Sequence, residues 1–169
     1  MGLSDAFLPE FDHEMQTTRR LLERVPDAKL DWKPHPKSMS LGRLAAHVVE
    51  VPQWSTSITG ADFFDLAPPG APPMQPTNFK SRQELLSHFD DYVHKARAGL
   101  GTVTDMAWMR PWSLQKGGQA LFTMPKVAVF RTWVMNHLIH HRGQLTVYLR
   151  LNDIPLPQIY GPTADEAGM

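Results

Sequence analysis

The sequence predicts an all-α protein: a four-helix bundle with long crossover loops and a short β-hairpin before the last helix. Three observations carry that expectation. Four segments place apolar residues at three- and four-residue spacing. The stretches between them are rich in proline and glycine. Residues 106–122 break the helical pattern and set apolar and aromatic residues on both sides of a Gly-Gly step.

The first helix spans roughly Asp5 to Val25, with Leu8, Phe11, Met15, Thr18 and Leu22 on one face, and Pro26-Asp27 ends it. Leu30 to Pro36 holds too much proline to be helical. Ser40 is a good N-cap for the second helix, which runs to about Thr59 with Leu41, Leu44, Val48, Val51, Trp54 and Ile58 as its stripe. Pro52 should kink it and Gly60 should stop it. Residues 67–78 contain six prolines or glycines and form a long loop within one domain, because neither side is long enough to build a separate core.

Ser81-Arg82-Gln83-Glu84 reads as a capping box opening the third helix, whose stripe is Leu85, Phe89, Tyr92, Ala96 and Leu100. Trp108, Pro111 and Trp112, then Gly117-Gly118, then Leu121-Phe122 read as two strands around a tight turn. Thr123 and Pro125 supply start signals for the fourth helix, roughly Val127 to Leu151. Its stripe is Val127, Phe130, Val134, His137 with Leu138, His141, Leu145, Tyr148 and Leu149. The proline-bearing tail should run extended over the bundle.

Composition narrows the function. The 169 residues fit a single domain, 1–169, and 42% hydrophobic with 20% charged residues is an ordinary globular balance. Seventeen basic residues match seventeen acidic ones, which argues against nucleic acid as a partner. No basic region followed by an apolar run opens the chain, and no apolar stretch approaches ~18 residues, so a cytoplasmic protein without membrane association is expected. The absence of cysteine excludes disulfides, thiolate-zinc sites and cysteine nucleophiles.

Any transition-metal site must therefore use histidine and carboxylate. His137 and His141 are four apart on the apolar face of the fourth helix, about 40° and ~6 Å from one another, a spacing that lets two imidazoles grip one ion. His47 lies on the second helix's stripe and can complete a three-histidine site. His140 competes, but at ~100° from His141 it falls toward the stripe's edge, so His141 is preferred. His13, His88 and His94 fall off their stripes and read as solvated. Leu138 stands where a zincin motif needs glutamate. Glu50, three after His47, could reach the metal rim as base or acceptor, yet reads more simply as a solvated helix residue. No general base is assigned. Five tryptophans, Trp32, Trp54, Trp108, Trp112 and Trp133, could wall a pocket or fill core and interface.

The run Ser40-Leu41-Gly42-Arg43-Leu44-Ala45-Ala46-His47 with Trp54, the run Asn136-His137-Leu138-Ile139-His140-His141-Arg142-Gly143-Gln144-Leu145, and the tail Ile159-Tyr160-Gly161-Pro162-Thr163 resemble the DinB/YfiT-like metal-binding four-helix proteins. The resemblance covers most of the chain in order and spacing. It implies that His47, His137 and His141 bind a divalent metal such as zinc or nickel, and that the protein forms homodimers. It also implies a metal-dependent enzyme for small-molecule substrates, either a transferase using a low-molecular-weight thiol or a hydrolase. The alternatives are a metal-binding or stress-associated protein without turnover, and a helical dimerisation scaffold. A homodimer is expected independently from the zero net charge and from Trp133, which falls toward the flank of its stripe.

Overall fold

The computed structural model describes residues 2–166. It is mostly helical and carries a small three-stranded sheet. The helices are α1 (Leu3–Leu22), α2 (Leu41–Glu50), α3 (Trp54–Gly60), α4 (Arg82–Gly101), α5 (Asp105–Trp108), α6 (Lys126–Val129) and α7 (His137–Arg150). The strands are β1 (Phe63–Asp65), β2 (Pro111–Lys116) and β3 (Gln119–Pro125).

This count departs from the four helices expected, the second of them with a kink at Pro52. The second breaks at Pro52, where a 3₁₀ turn over Val51–Gln53 separates α2 from α3. Proline lacks the N–H that would continue the α ladder, so the chain tightens for one turn instead. The last is continuous but passes through a π-helical stretch, Phe130–Asn136, between α6 and α7. The hairpin β2–β3 forms as expected, with Gly117 (φ 61°) and Gly118 (φ 77°) in the left-handed region that its turn demands. It is joined by β1, parallel to β2 with Phe63 opposite Ser113. The Asp65 carboxylate ties the two together by accepting from the N–H groups of Gly117 (2.9 Å) and Gly118 (2.7 Å).

Two start signals act differently from their sequence reading. Ser81 caps α4 through the N–H of Glu84, but the Glu84 carboxylate reaches back to the N–H of Lys80. Thr123 lies within β3, and Pro125 is the N-cap of α6.

The core is one cluster. Helix α4 packs on α1, α2 and α3, while α7 packs on α1 and α2. Phe11, Met15 and Leu22 meet Leu44 and Val48, Leu85 and Phe89, and Leu138, Leu145 and Leu149 in its buried centre. Trp108 of α5 is fully buried between Phe7 and Phe130, its indole N–H donating to Ser4 Oγ at 2.9 Å.

Among the described residues the most deeply buried charged side chain is Arg142, 1% exposed. Its Nη1 lies 2.6 Å from Glu14 Oε2 on α1 and also donates to Thr18 Oγ1, while Nη2 donates to the Tyr160 hydroxyl at 2.6 Å. Tyr160 in turn donates to Glu14 at 2.9 Å, so the tail is fastened across α1 and α7. Glu14→Ala leaves that guanidinium without its carboxylate, and chemical denaturation should show a loss of about 3–5 kcal/mol. Tyr160→Phe removes one hydroxyl and should cost about 1 kcal/mol. Equal, small losses in both variants would contradict the anchoring role of the pair.

Candidate metal centre

The α2–α7 seam carries the centre. Ser40 Oγ accepts from the N–H of Arg43 at 3.2 Å and starts α2. The N–H groups of Leu41 and Gly42 donate to the carbonyls of Trp32 and Leu30, both at 2.8 Å. A Cβ at Gly42 would stand 3.0 Å from that Leu30 oxygen, so a larger residue would push the loop back by a few tenths of an ångström. These contacts set the rotation of α2 and turn His47 toward α7. On the other side, the π-helical stretch runs directly into His137. Its i→i+5 bonding turns the chain less per residue than an α-helix and swings Trp133 over the His137 ring, centroids 6.2 Å apart.

His47, His137 and His141 come together. Nε2 of His137 lies 3.2 Å from Nε2 of His47 and 2.7 Å from Nε2 of His141. One donor atom from each lies within 4.8 Å of the others, a group able to hold a metal ion. Two nitrogens at ~2.1 Å from one tetrahedral ion sit roughly 3.4 Å apart, so the first distance already suits a shared ion. The second is shorter, the distance of a hydrogen bond between the rings.

The outward nitrogens of His141 and His47 are also engaged. His141 Nδ1 is 2.7 Å from Gln144 Oε1, whose amide oxygen can only accept. That holds the proton on Nδ1 and leaves the Nε2 lone pair facing the other rings. His47 Nδ1 faces Glu50 Oε2 at 3.5 Å. Glu50 also accepts from both Nη atoms of Arg43 at 3.1 Å and from the N–H of Thr77 at 3.1 Å. Burial alone would raise the Glu50 pKa, but His47, Arg43 and Thr77 together outweigh it and hold the carboxyl at about 2.

Burial first, then the neighbouring imidazoles His141, His47 and His140, push His137 down to about 4. Burial also lowers His141, against the opposing hydrogen bond to Gln144. Both rings are thus neutral near pH 7, the form that binds a metal.

Four of the other histidines lie as the sequence suggested: His13, His88, His94 and His140 are exposed, although the His140 ring touches that of His141. Glu50 corrects its reading as a solvated residue, for its side chain is 15% exposed and fully engaged. The signal was its offset: Glu50 follows His47 by three, as Gln144 follows His141. Arg43 and Thr77, which hold Glu50, carry no such signal. Trp54 packs tilted against His47 and edge-on against His137, at 5.6 and 5.1 Å between centroids. Trp133 is covered within its own chain by Phe122 of β3 at 5.1 Å, which removes one motive for a dimer.

Fold and site together define a helical protein with a three-histidine centre between two helices. The chain belongs to the DinB family, whose model matches residues 2–167. It is 28% identical to the protein YrdA of Bacillus subtilis over 162 residues, 96% of this chain and 90% of that one. A DinB-like protein from Bacillus cereus superposes with a TM-score of 0.72 at 24% identity, covering 92% of this chain and 97% of the other. The DinB-like protein YjoA from Bacillus subtilis superposes with a TM-score of 0.64 at 22% identity, covering 90% and 96%. These two likenesses concern the fold. No helix among the described residues is long and apolar enough to cross a membrane.

The depressed pKa of His137 makes the ion-free fold sensitive to acid. The unfolded chain takes its proton near 6.5 and the folded one only near 4. The contribution is therefore present above pH 6.5 and is lost as pH falls through 4. Glu50 adds a contribution present above 4.5 and lost toward 2. Melting temperature of chelator-stripped protein should fall between pH 6.5 and 4, and His137→Asn should flatten that limb. A wild-type profile that stays level across this window contradicts the burial of a neutral His137.

Proposed function

We propose that His47, His137 and His141 are the ligands of one divalent metal ion, zinc or nickel, in a single DinB-like domain, and that the centre acts on a small-molecule substrate. The observation that carries this reading is the convergence of three Nε2 atoms, with the His47 ring faced from behind by Glu50 and the His141 ring by Gln144. A structural zinc is closed by four protein ligands, whereas three neutral imidazoles leave the ion charged and with a position for water or a thiol whose pKa it lowers.

Within that reading, transfer involving a low-molecular-weight thiol ranks ahead of hydrolysis. Hydrolysis usually needs a base beside the nucleophilic water. Glu50 is the carboxylate that faces the histidines, and Arg43, Thr77 and His47 already occupy its oxygens and hold its basicity far below neutrality. A metal-activated thiol needs no such base. Turnover with a panel of low-molecular-weight thiols and electrophiles tests the reaction. Metal binding without turnover in any of them would favour the non-catalytic alternative.

Protein purified without a histidine tag and reloaded should bind one equivalent of zinc or nickel and melt at a higher temperature. His141→Ala should remove most of that gain, and His88→Ala none of it. Glu50→Gln should weaken the metal by about 10–100-fold through the His47 ring. Equal losses in the His141 and His88 variants would contradict the ligand assignment.

A homodimer remains part of the proposal, supported by the zero net charge and by the exposed apolar side chains Met106, Met109 and Leu121. Sedimentation at micromolar concentration should give twice the chain mass. A clean species of 19.1 kDa would remove the dimer and leave the metal centre untouched.

A further inference from the structure

Next to the histidines lies a cavity of about 330 Å³ between α3, the sheet and the π-helical stretch. Trp54, Trp112, Trp133, Phe64, Leu114 and Met74 supply most of its wall, and no charged side chain lines it. Two of the polar groups present are turned to backbone: Thr56 Oγ1 donates to the Gln53 carbonyl at 2.7 Å, and the Trp112 indole N–H to that of Ser57 at 3.3 Å. Trp54 and Trp133 belong to both places, lining the cavity and touching the His137 ring. Met74 comes from the same proline-rich loop whose Thr77 N–H is held by Glu50.

We propose that this cavity binds the uncharged, apolar part of the substrate and holds it against Trp54 and Trp133, with the substrate's reacting end toward the histidines. The inference deepens the metal-centre reading and rests on it for the reacting end only. The lining decides the chemical class: a charged group in this cavity would lose its hydration and gain no oppositely charged partner. The volume decides the size. An apolar cavity of ~150 Å³ accepts benzene, so this one suits a two-ring aromatic or a branched aliphatic group of about ten carbons.

The probes are 2-naphthol and its charged counterpart 2-naphthoate, titrated calorimetrically into ion-stripped wild-type protein. 2-Naphthol should bind saturably with one site, and 2-naphthoate about tenfold more weakly or less. Thr56→Trp and Phe64→Trp each fill the cavity from its rim, and either variant that keeps its melting transition should weaken 2-naphthol by about tenfold or more. High-spin cobalt in place of zinc should shorten the proton relaxation times of bound 2-naphthol. No saturable binding, equal binding of 2-naphthoate, or binding unchanged in the folded filled variants would overturn the cavity. Bound 2-naphthol unaffected by bound cobalt would overturn its placement beside the centre. If no metal binds while 2-naphthol still binds and the filled variants lose it, the metal reading fails and the cavity stands.

Discussion

A neutral imidazole taken out of water has two nitrogens to satisfy, and at the α2–α7 seam three such rings face one another. Much of the local structure follows from that requirement. The inward nitrogens crowd together at hydrogen-bond distances, and two of the outward ones are met from behind. Gln144 takes the Nδ1 of His141, and Glu50 faces that of His47. A half-buried carboxylate needs partners in turn, and Arg43 with the Thr77 backbone supplies them. The proline-rich loop, which has no helix or strand of its own, is thereby tethered to the histidine cluster through one side chain.

The orientation of α7 is held from another face. Arg142 follows His141 by one residue, about 100° around the helix. Its guanidinium is fixed to Glu14 and Thr18 of α1 and to Tyr160 of the tail. A helix gripped this way cannot roll without breaking a buried ion pair, so the direction of His141 is set by contacts it does not itself make. The run His141-Arg142-Gly143-Gln144 thus combines three duties in four residues: a ring facing the seam, an anchor to α1, and an acceptor that orients the ring.

Features governed by local repetition were legible in the sequence. The i, i+4 spacing of His137 and His141, the stripe position of His47, the Ser40 cap and the Gly117-Gly118 turn all rest on regular local geometry, and the structure has each of them. What escaped depended on irregular backbone or distant partners. Strand β1 is three residues long, too short for alternation to register, and its partner β2 lies some fifty residues on. The π-helical stretch invalidates a stripe drawn at 100° per residue, which is why Trp133 looked like a flank residue and instead faces His137 and Phe122. Glu50 read as solvated because its burial comes from the 67–78 loop and from Arg43, neither of which periodicity can place.

Charge explains why the centre and the cavity belong together. The three imidazoles are uncharged in their metal-binding form, and Glu50 is balanced by Arg43. A divalent ion held there would bring positive charge that no nearby protein group cancels. Trp54 and Trp133 border the same histidines with apolar surface, which excludes water and strengthens that charge's pull on whatever faces it. With the proposed ion in place, one side would favour a small anionic or polarisable group, and the cavity on the other an uncharged body of limited size. A molecule that satisfies both is amphipathic, with its reactive end and its apolar end separated by about the width of an indole ring.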